Sequence, residues 1–275
     1  MDVDVDGFLK VSYKSRNSKN RTGRITQTKC DIKTNTSLSL SLDKEYFLKK
    51  ICEAKSEVLS SDLFKSVCTS LKEGLFILND SAIAEIVCLG LGRIGECVTS
   101  RYQFAFILCL KTLFDVTISA YDPIFTKNDI ELLGYFNVTV LKENLEGKHK
   151  TLGENKVLFF LPHCPKQLTN NLLWVNWSHN LSSCIIIANS FNKIVGNCSR
   201  RTLEQSAGYI SKILPYVLEY PIINNFKYHD IFNDLAIHVF PKLNVVSQDL
   251  WKINSEPKYI EDIEFITKND SKSPV

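Results

Sequence analysis

The pattern of apolar and polar positions divides the chain into a polar start and a long stretch of alternating helical and strand-like segments. From Asp43, apolar residues return at helical spacing, with Phe47, Ile51, Ala54 and Val58 on one face. After a break at Ser60-Ser61-Asp62, Phe64, Val67 and Leu71 form a second stripe, so two helices are predicted against one side of a sheet. Strand-like runs follow at Ile86–Leu89, Asp115–Ala120, Phe136–Leu141, Lys156–Leu161, Cys184–Ala188 and Leu235–Phe240. Helical patterns over Val98–Phe114, Lys127–Leu133, Gln167–Trp177 and Thr202–Leu214 separate them, the last halted by Pro215. Continuously apolar strands belong to sheets covered on both faces, and strand–helix alternation gives parallel connections. The prediction is a Rossmann-like α/β fold, a doubly wound, mostly parallel sheet in a three-layer α/β/α domain.

Residues 1–42 are poor in core-forming side chains. Over residues 1–36 there are 8 Lys and Arg against 4 Asp, so this stretch carries about all of the net charge of +3. It is predicted to be a disordered basic tail, and residues 43–275 are assigned to a single domain. The basic residues are dispersed and the net charge is mild, so nucleic acid is not an expected partner. Nine cysteines without a C-x-x-C pair, several in apolar runs, suit reduced thiols in a cytoplasmic or nuclear protein and give no metal framework. The opening MDVDVDG has no apolar core and does not read as a secretory signal; Phe104–Leu110 is too short to cross a bilayer, so no membrane is expected.

The chemistry centres on Glu85–Gly95, EIVCLGLGRIG, where a short strand meets Gly90, Gly92 and Gly95 at G-x-G-x-x-G spacing. A helix, a second strand and Asp122 follow, which is the layout of a dinucleotide-binding βαβ unit. In that layout the first glycine permits the turn, the second a close ligand approach and the third helix–strand packing. Asp122 either holds ribose hydroxyls or caps the turn with Pro123. In open α/β sheets ligands sit outside the carboxyl ends of the strands. There the reading gathers Gly90–Gly95, Tyr121-Asp122, Pro162-His163-Cys164-Pro165 and Asn189-Ser190-Phe191. The cofactor-binding candidates are therefore Gly90, Gly92, Gly95, Asp122 and Asn189. His163 and Cys164 are the catalytic candidates, although neighbours on an extended segment point apart. His163 bonding loop backbone is the structural alternative. NAD and S-adenosylmethionine are the cofactors considered. Against a short-chain dehydrogenase, the only Tyr-x-x-x-Lys spacing is Tyr46 to Lys50 in the first helix. Against a methyltransferase, Cys88 stands where those enzymes place an acid, two before the first glycine.

Arg101-Tyr102-Gln103, Tyr121-Asp122-Pro123, Leu161-Pro162-His163-Cys164-Pro165, Asn176-Trp177 and Asn189-Ser190-Phe191 occur in this order. In these blocks, over roughly Glu85–Phe240, the chain resembles the SRR1-like family of the animal type. The resemblance implies a regulatory role in circadian timing and light input and in haem biosynthesis, with regulatory protein partners and no firmly attached reaction. It also brings haem into view, with Cys164-Pro165 as a Cys-Pro dipeptide able to offer a thiolate to iron. The enzymatic alternative is a methyltransferase, and an interaction scaffold is the third reading.

Overall fold

The computed structural model describes residues 35–80, 82–259 and 263–270, with side chains from residue 44 onward; residues 1–34, most of the expected tail, lie outside the described residues. The sheet and the helices that cover it belong to the unit Leu40–Val275. Two helices come first in the chain, α1 (Asn35–Ser60) and α2 (Asp62–Ile77). They separate at the expected serine break, because the Ser61 hydroxyl accepts the Phe64 N–H and caps α2.

The βαβ unit is β1 (Glu85–Leu89), α3 (Val98–Phe114) and β2 (Thr117–Tyr121). Helix α4 (Lys127–Tyr135) starts on a capping box of Thr126 and Asp129, and β3 (Val138–Val140) follows. Next come β4 (Val157–Leu161), α5 (Lys166–Val175), β5 (Cys184–Asn189) and α6 (Phe191–Asn197). The chain continues through α7 (Arg200–Ser206), α8 (Gly208–Ile213), β6 (Leu218–Pro221), β7 (Leu235–Val239) and α9 (Gln248–Lys252).

The sheet order is β3-β2-β1-β4-β5-β7-β6. The first five strands are parallel neighbours, and β7 runs antiparallel to both β5 and β6. Alternate strand residues feed two cores. Ile86, Cys88, Ile118, Leu158, Phe160 and Ile187 pack with α1–α4 on one face. Val87, Leu89, Phe159, Leu161 and Ile186 pack with α5, α7 and α8 on the other. This is the predicted three-layer, mostly parallel α/β domain.

Three local differences have physical causes. The expected helix over 202–214 is two helices that part at Ala207, whose backbone leaves the helical region (ψ 31) before Gly208. Strand β6 was not expected, since LEYP is a half-exposed edge whose terminal proline cannot donate to a ladder. The second strand begins at Thr117 rather than Asp115, because Asp115 takes a left-handed conformation (φ 51) to end α3.

Candidate ligand cleft at the carboxyl edge of the sheet

The sheet reverses its winding between β1 and β4, and a cleft of about 250 Å³ opens there. Leu89 and Gly90 after β1, Tyr121–Ile124 after β2 and His163–Pro165 after β4 contribute to its walls. This is where ligands bind in open α/β sheets. The β3–β4 connection (Asn144–Gly147 and His149) and the segment Glu264–Ile266 complete it.

The glycine turn is left-handed at Gly90 (φ +69) and Gly92 (φ +76). A Cβ on Gly90 would overlap the Cys164 Sγ, and one on Gly92 would lie 2.6 Å from the Ser100 Oγ. Glycine is thus required at both positions for conformation and for space. Gly95 is different, since a Cβ there would make only ordinary contacts, the nearest at 3.6 Å. Helix α3 begins at Val98, beyond the last glycine, so the turn and the helix start are separated.

Two carboxylates hold two amides of this turn, those of Gly92 and Gly95. Asp122 Oδ2 accepts the Gly92 N–H at 2.6 Å, and its Oδ1 accepts the Ile124 N–H at 2.9 Å. Asp129 Oδ1 accepts the Gly95 N–H at 3.0 Å, while the Arg101 guanidinium donates to the Gly95 carbonyl. Asp122 is buried, and that burial raises its pKa against the pull of the two amides. Asp122 caps its own turn through the Ile124 N–H, and it also lines the cleft.

His163 sits in a left-handed conformation (φ 52), an unusual state for a non-glycine residue. Its Nε2 lies 3.1 Å from the Ile231 carbonyl, which can only accept, so that nitrogen carries the proton. Cys164 faces elsewhere, its thiol donating to the Leu89 carbonyl at 3.3 Å. Burial and the nearby Asp122 charge push the Cys164 pKa up to about 12, so it stays a protonated thiol at neutral pH. With its hydrogen committed to the Leu89 carbonyl and its sulfur packed against Gly90, Cys164 is not placed as a free nucleophile.

Asn189 does not line this cleft. Its Nδ2 donates to the Cys164 carbonyl at 2.9 Å, and it borders a neighbouring shallow pocket with His163, Ser190 and Lys193. The cleft therefore gathers Gly90, Asp122, His163 and Cys164, with Gly92 joined through Asp122 and Gly95 set back.

The other sequence blocks position structure. Ser190 caps α6 and donates to Glu219 at 2.6 Å; Phe191 stacks on the buried His238 at 3.7 Å between ring centroids. Asn176 Oδ1 accepts the Thr151 N–H (2.8 Å) and hydroxyl (3.0 Å), and Nδ2 donates to the His149 and Leu172 carbonyls at 2.8 and 2.9 Å. Gln103 donates to the same Ile231 carbonyl that His163 meets. Among the described residues no group of three His, Cys, Asp or Glu is placed to hold a metal ion, and no helix is long and apolar enough to cross a membrane.

The SRR1 domain family matches residues 59–239. The chain belongs to the SRR1 family. Its domain is 28% identical to an SRR1-like protein of Drosophila melanogaster over 82% of this chain and 79% of that one. It is 39% identical to an SRR1-like protein of Mus musculus over 50% of this chain and 56% of that one. It is 29% identical to the Arabidopsis thaliana protein SENSITIVITY TO RED LIGHT REDUCED 1 over 42% of each chain. Among solved structures, a 23S rRNA methyltransferase is similar over 66% of this chain and 72% of that one, at 11% identity and TM-score 0.35. The SRR1 match begins well before the motif blocks and takes in α2.

Proposed function

We propose that this SRR1-family chain is a regulatory protein that reads a small nucleoside-type ligand in the cleft where the sheet reverses. The observation that carries the reading is Asp122, a buried carboxylate facing a mostly apolar cleft at the carboxyl end of β2. A carboxylate accepts up to about four hydrogen bonds, so after two backbone amides Asp122 retains capacity for ribose hydroxyls. The name of the Arabidopsis relative supports light input as the process, and the family resemblance extends it to circadian timing and haem biosynthesis. Such a role acts through protein partners, in the cytoplasm or nucleus.

The second reading is an S-adenosylmethionine-dependent methyltransferase. What favours it is the antiparallel β7 inserted between β5 and β6, which departs from the 3-2-1-4-5-6 dinucleotide-binding order and parallels methyltransferase-type sheets, a fold-level analogy. NAD fits poorly, because the turn amides that would meet a pyrophosphate at Gly92 and Gly95 are held by Asp122 and Asp129. Native mass spectrometry of protein purified without denaturation tests the proposal. A retained S-adenosyl or other nucleoside mass is expected; no retained mass, together with no calorimetric binding of S-adenosylmethionine or adenosine at millimolar concentration, would contradict it.

A further inference from the structure

Three residues of the cleft wall, Glu264, Phe265 and Ile266, come from a segment that belongs to no regular element. Among the described residues after α9 there is no helix or strand, and none between Lys252 and Asp270 is buried. A stretch that buries so little opens locally at low cost, well before the fold as a whole. It also follows β7, and the SRR1 match ends at residue 239, so its release takes no strand from the sheet.

What holds this strap is mainly polar and falls at two places. Near its start, the Tyr259 hydroxyl donates to Asn171 Oδ1 at 2.8 Å and accepts from Asn170 Nδ2 at 3.0 Å. The Tyr209 hydroxyl donates to the Ser255 carbonyl at 2.7 Å, and Glu256 pairs with Lys148 at 2.7 Å. Asn170 and Asn171 are buried on α5, so the Tyr259 bonds are sheltered from water. The second place is the cleft. Glu264 pairs with Lys166 at 2.8 Å, and the Ile266 carbonyl accepts from Asn144 Nδ2 at 2.9 Å. The Lys268 amide donates to Glu146 Oε1 at 2.8 Å. The Glu264 side chain is 47% exposed, and a pair so open to solvent is weak and weakened further by salt. The strap is thus held firmly at Tyr259 and lightly across the cleft.

The groups that receive the light end are themselves cleft wall, since Asn144 and Glu146 line it opposite Glu264 and Ile266. A ligand filling the cleft would therefore touch the strap and its receivers together. It would meet that full set of contacts only while the strap is docked, and a ligand shifts an equilibrium toward the form it binds better.

We propose that residues 263–270 form a detachable wall whose docking and the occupancy of the cleft strengthen each other, so that the state of the cleft is displayed at the surface as strap docked or strap released. This rests on the cleft being a ligand site and names how that site is regulated.

The test is hydrogen–deuterium exchange of the full chain at single-amide resolution, for wild type and Glu264→Gln, with and without S-adenosylmethionine. The reporter is the Lys268 amide, which is bonded to Glu146 but does not line the cleft. Without ligand it should exchange faster in high salt, and about two- to fivefold faster in Glu264→Gln, the worth of one half-exposed ion pair. The amides of β4 and β5 should not change. With ligand at about ten times its calorimetric Kd, Lys268 exchange should slow about tenfold, because the ligand binds the docked form only. Lys268 exchanging as slowly as β4 and β5 without ligand would show that the strap does not detach. Slowing at residues 121–124 with Lys268 unchanged would overturn the coupling and leave the cleft a ligand site. No calorimetric binding at millimolar concentration would bring down the ligand reading and this proposal with it.

Discussion

Gly90 and Cys164 interlock across the ends of β1 and β4, and replacing Gly90 with alanine measures that fit. Alanine at φ +69 carries left-handed strain of roughly 1–2 kcal/mol. Its Cβ would also fall inside 3.0 Å of the Cys164 Sγ, an overlap worth about 1–3 kcal/mol in a packed interior. Gly90→Ala should therefore destabilise by about 2–5 kcal/mol, a large part of the roughly 5–15 kcal/mol of a typical domain. The assay is urea unfolding, where the midpoint should fall by roughly 1 M with little change in slope. Adding Cys164→Ala removes the sulfur but not the strain, because the remaining Cβ lies 3.9 Å away. The pair should then show a coupling of about 1–3 kcal/mol in a double-mutant cycle. If the two substitutions simply add, the interlock does not exist and Gly90 is required for conformation alone.

Three other expectations rest on the same geometry. Burial alone would raise the Glu219 pKa from 4.5, but hydrogen bonds from His238 and Ser190 outweigh it and bring it down to about 2. A carboxylate held low stabilises the fold fully above its unfolded pKa, and that contribution fades as pH falls toward 2. Acid unfolding monitored by circular dichroism should therefore show about 3 kcal/mol of pH-dependent stability that Glu219→Gln lacks, and equal pH slopes would remove the assignment. Among the thiols, burial opposes but the Thr99 and Ser100 donors lower the pKa of exposed Cys97, whereas Cys164 is buried and raised to about 12. Iodoacetamide at pH 8 should alkylate Cys97 well before Cys164 in the folded protein, as read by peptide mass spectrometry; early labelling of Cys164 would contradict its burial. Asp122→Ala strands the Gly92 and Ile124 amides and should lower stability by about 2–4 kcal/mol in urea unfolding, with Asp122→Asn milder because its amide oxygen still accepts. A neutral Asp122→Ala would mean the turn does not depend on this carboxylate.

Much of the frame was legible because local signals and tertiary packing agree. The run Ile86–Leu89 is apolar because both faces of β1 are covered, and the serine break before α2 is a cap in sequence and in space. Asp122 and Pro162–Pro165 could be placed at the carboxyl edge because a parallel sheet brings its strand ends together. What the glycine spacing could not reveal is that the Gly92 and Gly95 amides are already held by Asp122 and by Asp129, which lies on a helix with its own capping pattern. His149 and Glu264–Ile266 carry no local signature. They reach the cleft only through long-range contacts, such as Asn144 Nδ2 to the Ile266 carbonyl at 2.9 Å and the Lys268 amide to Glu146 at 2.8 Å. Strand β6 escaped because an edge strand of four half-exposed residues has neither a continuous nor an alternating apolar pattern.

The central claim is that ligand enters the cleft at the sheet reversal, and hydrogen–deuterium exchange with and without S-adenosylhomocysteine tests it most directly. The account predicts slowed exchange in three stretches distant in sequence, residues 121–124, 144–149 and 264–266, because they share the walls of one cleft. Protection confined to other segments, or none at millimolar ligand, would contradict it.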